Sequence, residues 1–105
     1  MIGYYDRIFD RVEFVTCTCV SAVTGRNMNK DEIYSGKTKT LLQVSIARSI
    51  AFMVMHDTYG IHYSKIAHRA GMSDKAVMKS TAKARIYRFS DPVYRTAYEL
   101  IMNRL

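Results

Sequence analysis

The chain has 105 residues, of which 49% are hydrophobic and 11% aromatic, enough apolar material to build one hydrophobic core. This composition excludes an intrinsically disordered chain. The net charge is +7, and the excess is confined to residues 37–88, which hold ten basic and two acidic side chains. A positive charge concentrated in one segment is typical of proteins that bind the phosphate backbone of nucleic acids.

The N-terminal segment predicts a long helix from about Tyr4 to Thr24. Apolar side chains recur there mostly every third or fourth residue, which is the period of an amphipathic helix, and Tyr5 begins this stripe while Thr16 falls outside it. Cys17 and Cys19 are two residues apart, so on a helix they can neither form a disulfide nor share a metal ion. We interpret them as buried thiols in a reducing compartment.

The middle of the chain predicts a short helix, a basic loop and a long helix. Residues 29–32 have the pattern of a capping box, in which an asparagine is followed three positions later by a glutamate, and a short helix through Ile33 and Tyr34 is expected next. Residues 35–39 form the basic loop. Residues 41–54 then have helical spacing and predict a long helix that ends before Gly60.

Residues 62–88 have the spacing of a helix-turn-helix. Ala67 is small enough for two helices to cross closely, and Gly71 can adopt the positive φ that a very short turn needs. Ser73 can accept hydrogen bonds from the free amides of the second helix. The pattern predicts an inner face and an outer face; the inner positions are Ile66, Ala70, Met72 and Val77, and the outer positions are Asp74, Lys75, Met78, Lys79, Ala82 and Lys83.

An ordinary helical hairpin in a bundle would have a similar pattern. The inner position one turn after Val77 also departs from the usual aliphatic residue, because it falls at Ser80 or Thr81. The DNA-binding interpretation is favoured because the charge distribution supports it independently.

The C-terminal segment predicts one more helix, from about residue 91 to residue 105. Asp91 is a good helix cap and Pro92 suits the first helical position. No segment alternates as a strand does. The sequence therefore predicts an all-α fold, a compact bundle of about five to six helices that contains the helix-turn-helix and forms a single domain over residues 1–105.

Other chemistry is not indicated by the sequence. Residues 36–38 have the Gly-Lys-Thr ending of a phosphate-binding loop, but Asp31 stands where that motif needs its first glycine. The three histidines are each six residues apart, so they assemble neither a zinc site nor a nucleophile with its base, and we expect surface or boundary positions for them. We expect no enzyme activity, no metal, no cofactor and no small-molecule ligand.

The longest apolar run, Ile50 to Met55, is far too short to span a membrane. Acidic side chains also occupy the N-terminal segment where a signal peptide needs an apolar stretch. We therefore expect a cytoplasmic protein that has no membrane partner.

The basic loop, the run Ala47-Arg48-Ser49-Ile50-Ala51 and the helix-turn-helix together resemble the C-terminal DNA-binding domain of the bacterial replication initiator DnaA. The likeness covers about residues 29–88, and its most specific part is the family's Ala-Arg-Gln-Ile-Ala run, which is matched here except at Ser49. The family's recognition helix opens with Arg-Asp-His-Thr-Thr, whereas this chain has Ser-Asp-Lys-Ala-Val at residues 73–77. Without the family's ATPase domain, we expect a stand-alone DNA-binding module.

The resemblance implies that Arg48 enters the minor groove and that Lys37 and Lys39 contact phosphates. In the helix-turn-helix, we expect Lys75 and Lys79 to contact base edges or nearby phosphates. The remaining expected contacts are polar side chains that bond bases or orient a lysine (Ser73, Asp74) and side chains that contact the DNA backbone (Ser64, Lys65, Arg69, Lys83, Arg85).

The sequence thus predicts a non-enzymatic protein that binds double-stranded DNA with residues 73–85 in the major groove and acts in replication or transcription control. The competing hypothesis is a helical protein-interaction module whose basic face binds an acidic partner. This second hypothesis predicts that the chain has little affinity for DNA in moderate salt. The sequence predicts neither the cognate DNA site nor the oligomeric state.

Overall fold

The computed structural model describes residues 3–35 and 42–105, and every regular element in these two stretches is helical. The predicted all-α bundle is confirmed. Lys37 and Lys39 lie outside the described residues. In chain order, the elements are α1 (Tyr4–Thr24), a 3-10 turn (Lys30–Glu32), α2 (Leu42–Met53), a π-helical segment (Val54–Thr58), α3 (Tyr63–Ala70), α4 (Asp74–Ser90) and α5 (Pro92–Arg104).

Helix α2 lies at the centre of the bundle. Nine of its twelve residues are buried, as expected for a helix that is apolar on nearly all sides. It packs against α1, α4 and α5, and the buried side chains of all five helices form one hydrophobic cluster. The positions of the other helices are therefore fixed relative to α2.

Helix α1 is buried over a wider face than its apolar stripe predicts. Cys17 and Cys19 are buried free thiols, as expected, and burial raises the pKa of the Cys17 thiol to about 12, so this thiol stays neutral. Thr16, which the pattern leaves off the stripe, is fully buried, and so is the carboxylate of Glu13. Tyr5 was expected on the buried stripe, but it is 39% exposed.

The capping box over residues 29–32 forms as predicted, but the helix that follows it does not extend to Ile33 and Tyr34. The Asn29 side chain accepts a hydrogen bond from the Asp31 amide (3.0 Å), and Glu32 accepts one from the Asn29 amide (3.4 Å). The helical turn ends at Glu32. The Ile33 carbonyl accepts a hydrogen bond from the Arg48 side chain at 2.8 Å and not from a further helical turn.

The long central helix ends before Gly60, as predicted, but its last turn is wider than an α-helix. Residues 54–58 are π-helical, and the Tyr59 amide donates to the Val54 carbonyl at 3.3 Å. Gly60 then has a φ of +68°.

The turn between α3 and α4 has the predicted features. Gly71 ends α3 with a φ of +68°, and the Ser73 hydroxyl accepts a hydrogen bond from the Ala76 amide at 3.1 Å. The inner position one turn after Val77 is occupied by Thr81, which is fully buried. Its hydroxyl donates to the Val77 carbonyl at 2.8 Å, so a polar side chain is tolerated there. Helix α4 continues two residues past the expected end.

Candidate nucleic-acid interface

The outer face of α4 is exposed to solvent, largely as predicted. Asp74, Lys75, Met78, Lys79 and Ala82 are all exposed, whereas the inner side of the helix contributes Val77, Thr81 and Ala84 to the core. The helix is thus anchored along one side and open along the other. This arrangement can present side chains to a partner from a rigid element.

Lys75 and Lys79 lie one turn apart on this exposed face. Within the described residues, neither ammonium group forms an ion pair or a side-chain hydrogen bond. Ser73 caps the helix beside them, and Asp74 lies in the first turn, where a negative charge is favoured by the helix dipole. The N-terminal half of α4 therefore presents two lysines that keep their charge available to solvent.

Three further expected contacts are partly available. Ser64 and Lys65 lie in the exposed first turn of α3, where the Lys65 ammonium stands 4.8 Å from the centre of the Tyr5 ring and Ser64 shares a 2.8 Å hydrogen bond with His62 Nδ1. Lys83 is half-buried and donates to the Ser45 hydroxyl at 2.9 Å. A single neutral hydrogen bond leaves the charge of Lys83 uncompensated.

Arg69 is held in a charged cluster at the edge of the core, composed of Asp10, Glu13, Lys30, Tyr34 and Arg69, of which the Glu13 side chain is almost fully buried and those of Asp10 and Lys30 are partly exposed. Its Nε and Nη2 donate to the two oxygens of Glu13 at 3.0 and 2.9 Å, and Nη2 also donates to Asp10 at 2.8 Å. The Glu13 side chain is only 2% exposed, so it depends on this arginine for compensation. A phosphate would therefore have to compete with Glu13 and Asp10 for Arg69, which was expected to contact the DNA backbone.

The same cluster contains two further contacts. The Lys30 ammonium donates to Asp10 at 2.6 Å, and the Tyr34 hydroxyl donates to Glu13 at 2.6 Å. The hydrogen bond from Lys30, with that from Arg69, holds the pKa of the Asp10 carboxyl below its usual value, and burial raises the pKa of Tyr34. The cluster therefore joins α1, the 3-10 turn and α3.

Arg85 is paired as well. Its Nε donates to Asp57 in the π-helical segment at 2.8 Å, and its Nη2 donates to the Tyr63 hydroxyl at 3.1 Å. The hydrogen bond from Arg85 holds the pKa of the Asp57 carboxyl below its usual value. Arg85, which was expected to contact the DNA backbone, is thus paired with Asp57 in this structure, and 41% of its side chain is exposed.

Arg48 lies in α2 and contacts Ile33 and the first residue of the basic loop, Ser35. Its guanidinium donates to the Ile33 carbonyl at 2.8 Å and to the Ser35 carbonyl. Partial burial lowers the pKa of Arg48. To enter a minor groove, as the resemblance implies, this side chain would have to leave both carbonyls.

Sequence reasoning did not identify the charged cluster, although one local signal was present. Glu13 interrupts the apolar stripe of α1 between Val12 and Val15, and an acidic residue at such a position requires a cationic partner when the helix packs. Asp10 lies three residues earlier on the same side. The partner Arg69 could not be found, since it is 56 residues away.

The histidines lie at surface or boundary positions, as predicted: His62 and His68 are exposed, and His56 is half-buried with its Nδ1 2.9 Å from the Ile61 carbonyl. Across residues 3–35 and 42–105, no group of three or more metal-ligating side chains is gathered in one place. Among the helices of the same stretches, none has the length and apolar character needed to cross a bilayer.

No protein-family model matches this chain, and neither a curated protein nor a solved structure matches it. The resemblance to the DNA-binding domain of DnaA stays a prediction that rests on the residues quoted for it.

Proposed function

We propose that this chain binds double-stranded DNA with the N-terminal half of α4 in the major groove. The observation that carries the proposal is the pair Lys75 and Lys79, which point to solvent from a helix whose opposite side is fixed in the core. An α-helix fits the major groove, and the first residues of a recognition helix contact base edges. Rigid anchoring lowers the entropy cost of placing these lysines.

The distribution of charge supports this orientation. Arg69 and Arg85 are neutralised by acidic partners, whereas the lysines of α3 and α4 have none among the described residues. Four lysine charges without an acidic partner in the described part of the chain therefore lie along the first turn of α3 and along α4, namely Lys65, Lys75, Lys79 and Lys83. A polyanion is attracted to such a surface, and it gains from releasing its counterions there.

In this arrangement, Lys75 and Lys79 contact base edges or adjacent phosphates, and Ser73 and Asp74 bond bases or orient the lysines. Ser64, Lys65 and Lys83 position the protein on the DNA backbone. By the resemblance, Lys37, Lys39 and Arg48 add phosphate and minor-groove contacts. The cellular role proposed is replication or transcription control.

The test is a binding selection from random duplex DNA, followed by titrations of the selected site at several salt concentrations. With about five phosphate contacts, the logarithm of affinity is expected to fall against the logarithm of salt with a slope of about −4 to −5. Lys75→Ala should cost about 1–3 kcal/mol of discrimination at one or two base pairs. Arg95→Ala, which removes an exposed charge from α5, is the matched control and should leave the preference unchanged.

Two outcomes would contradict the proposal. One is a salt slope near zero. The other is a Lys75→Ala variant that binds every duplex with the affinity and preference of the Arg95→Ala variant.

A protein-interaction module is the second candidate, and one observation favours it. Ile86 and Phe89, in the C-terminal half of α4, are 66% and 69% exposed. Large exposed apolar side chains that lie close together are typical of protein contact sites. If this were the main function, Ile86→Ser and Phe89→Ser would abolish partner capture, and Lys75→Ala would leave duplex binding equally weak.

A further inference from the structure

A groove of about 610 Å³ lies between the first turns of α1 and α3. One wall is aromatic and comes from α1, and the other is polar and basic and comes from α3; the main residues are Tyr4, Tyr5, Phe9, Ser64, Lys65 and His68. This volume is within the range of sites that hold small ligands. The groove is separate from the exposed lysine face of α4.

The aromatic wall contains an exposed tyrosine, Tyr4. Tyr4 is 75% exposed, and its ring packs edge-on against Tyr5, with the two centres 5.5 Å apart and the planes at 75°. Phe9 forms the buried base of the same wall. Since the two ring planes are steeply inclined, Tyr5 can cover at most one face of the Tyr4 ring, and the high exposure of Tyr4 leaves the other face available for stacking.

The opposite wall places a cation close to these rings. The Lys65 ammonium stands 4.8 Å from the centre of the Tyr5 ring, which holds it at the groove. The Ser64 hydroxyl and the exposed His68 lie on the same wall, whereas Arg69 is neutralised by Glu13. The acidic side chain at the rim is Asp6, which accepts a hydrogen bond from the Gly3 amide at 3.2 Å.

A stacking face and a cation separated by one further ring match the two chemical parts of a nucleotide. A base can stack on Tyr4 while its phosphate meets Lys65 and Ser64. In a duplex, the faces of the bases are covered by their neighbours, so only an unpaired strand can use both groups at once. Grooves that combine aromatic side chains with positive charge bind single strands in this manner.

We propose that this groove binds single-stranded DNA, with a base stacked on Tyr4 and the adjacent phosphate at Lys65. The site goes beyond the duplex interface on α4 and does not depend on it, since the two surfaces share only the first turn of α3. Specificity for sequence is not expected, because every base has a face that can stack.

The experiment measures the affinity of the full chain for a fluorescein-labelled oligothymidylate of fifteen nucleotides by fluorescence anisotropy. Tyr4→Ala is expected to weaken binding about five- to a hundredfold, and Tyr4→Phe, which keeps the ring, should retain most of the affinity. Phe14→Ala is the matched control, because Phe14 is a 63% exposed aromatic residue of the same helix that lies outside the groove.

Charge is tested separately. Lys65→Ala should weaken oligothymidylate binding and reduce the salt slope by about 0.7, the value for one phosphate on a single strand. An oligothymidylate that carries 5-iododeoxyuridine should form a photochemical cross-link to Tyr4 and not to Phe14. Circular dichroism of each variant checks that the fold is intact.

The proposal is overturned if Tyr4→Ala and Phe14→Ala have the same affinity, or if inorganic polyphosphate displaces the oligonucleotide from wild type and Tyr4→Ala equally well. It fails separately from the duplex proposal. A variant with Lys75→Ala and Lys79→Ala should lose duplex preference and keep the stacking-dependent binding of oligothymidylate.

Discussion

The charged cluster of α1 and α3 and the lysine face of α4 are both rich in ionisable side chains, but their surroundings differ. In the cluster, Arg69 makes three hydrogen bonds to Asp10 and Glu13, and Glu13 is almost wholly removed from solvent. On α4, Lys75 and Lys79 stand in solvent. Arg69, Lys75 and Lys79 all come from the segment that gives the chain its positive charge, residues 37–88.

Part of the difference follows from the chemistry of arginine, although Lys30 also takes part in the cluster through its hydrogen bond to Asp10. Arginine has a planar group with several donors, which can satisfy both oxygens of a carboxylate at once and is suited to a buried pair. Lysine is a compact, strongly hydrated charge on a flexible stem. In this protein Arg48, Arg69 and Arg85 join elements of the fold, so a count of basic residues overstates the charge that is available to a partner.

The largest expected effect on stability comes from removing the arginine of the charged cluster. Arg69→Met should lower the free energy of unfolding by about 3–5 kcal/mol, because it leaves the buried Glu13 carboxylate without its main partner. Urea unfolding measures this change. The double variant Glu13→Leu and Arg69→Met removes both charges and should recover much of the loss. A single variant that loses less than about 1 kcal/mol, the value for an exposed pair, would show that the cluster is not a buried pair.

A smaller effect on stability is expected at Gly71, which lies in the turn between α3, whose Arg69 is held in the cluster, and α4, which has the exposed lysines. Gly71 has a φ of +68°, and a Cβ placed there would have no heavy atom within 4 Å, so the cost of a side chain comes from backbone conformation alone. Gly71→Val should therefore cost about 1–3 kcal/mol. Gly71→Asn should cost less, because asparagine tolerates this conformation best after glycine. Equal stability of all three proteins in thermal unfolding would contradict a strained turn.

The parts of this structure that sequence predicted are those with a local signal. Gly71, Ser73, Asp91 and Pro92 each act on the backbone within a few residues, and the turn and caps are where they indicate. The apolar spacing likewise placed the buried side of α4. The burial of Thr16 could not be predicted in this way, because it depends on how many helices surround α1.

The least predictable feature was which basic side chains near the candidate interface are already paired with acidic ones. Arg69 and Arg85 have the spacing of solvent-facing residues, and only their contacts with Glu13 and Asp57 show that they are neutralised. These contacts link positions far apart in the chain. The Ile33 carbonyl, just past the end of the short helical turn, is likewise bonded by a side chain distant in sequence, that of Arg48.

The smallest expected effect comes from freeing Arg85 from its ion pair with Asp57, so that its charge becomes available to DNA. Asp57→Asn removes the charge that neutralises Arg85, a pair whose side chains are 33% and 41% exposed. Stability should fall by about 0.2–1 kcal/mol, as for other exposed ion pairs. The freed guanidinium should then add to the positive surface, and the salt slope of duplex binding should steepen by up to about 0.9.

The pH dependence of this variant provides the control. The pKa of Asp57 in the folded protein is held below its ordinary value of 3.8 by the hydrogen bond from Arg85. The pair therefore contributes its full stability above that ordinary value and loses it as the pH falls through the lowered pKa. Wild type and Asp57→Asn should differ in urea unfolding at pH 7, and the difference should shrink as the pH falls below 3.8 and through the lowered pKa. A difference that persists unchanged at the lower pH would mean that Asp57 supports the π-helical segment by packing and not by its charge. In that case the substitution would not make the charge of Arg85 more available to DNA.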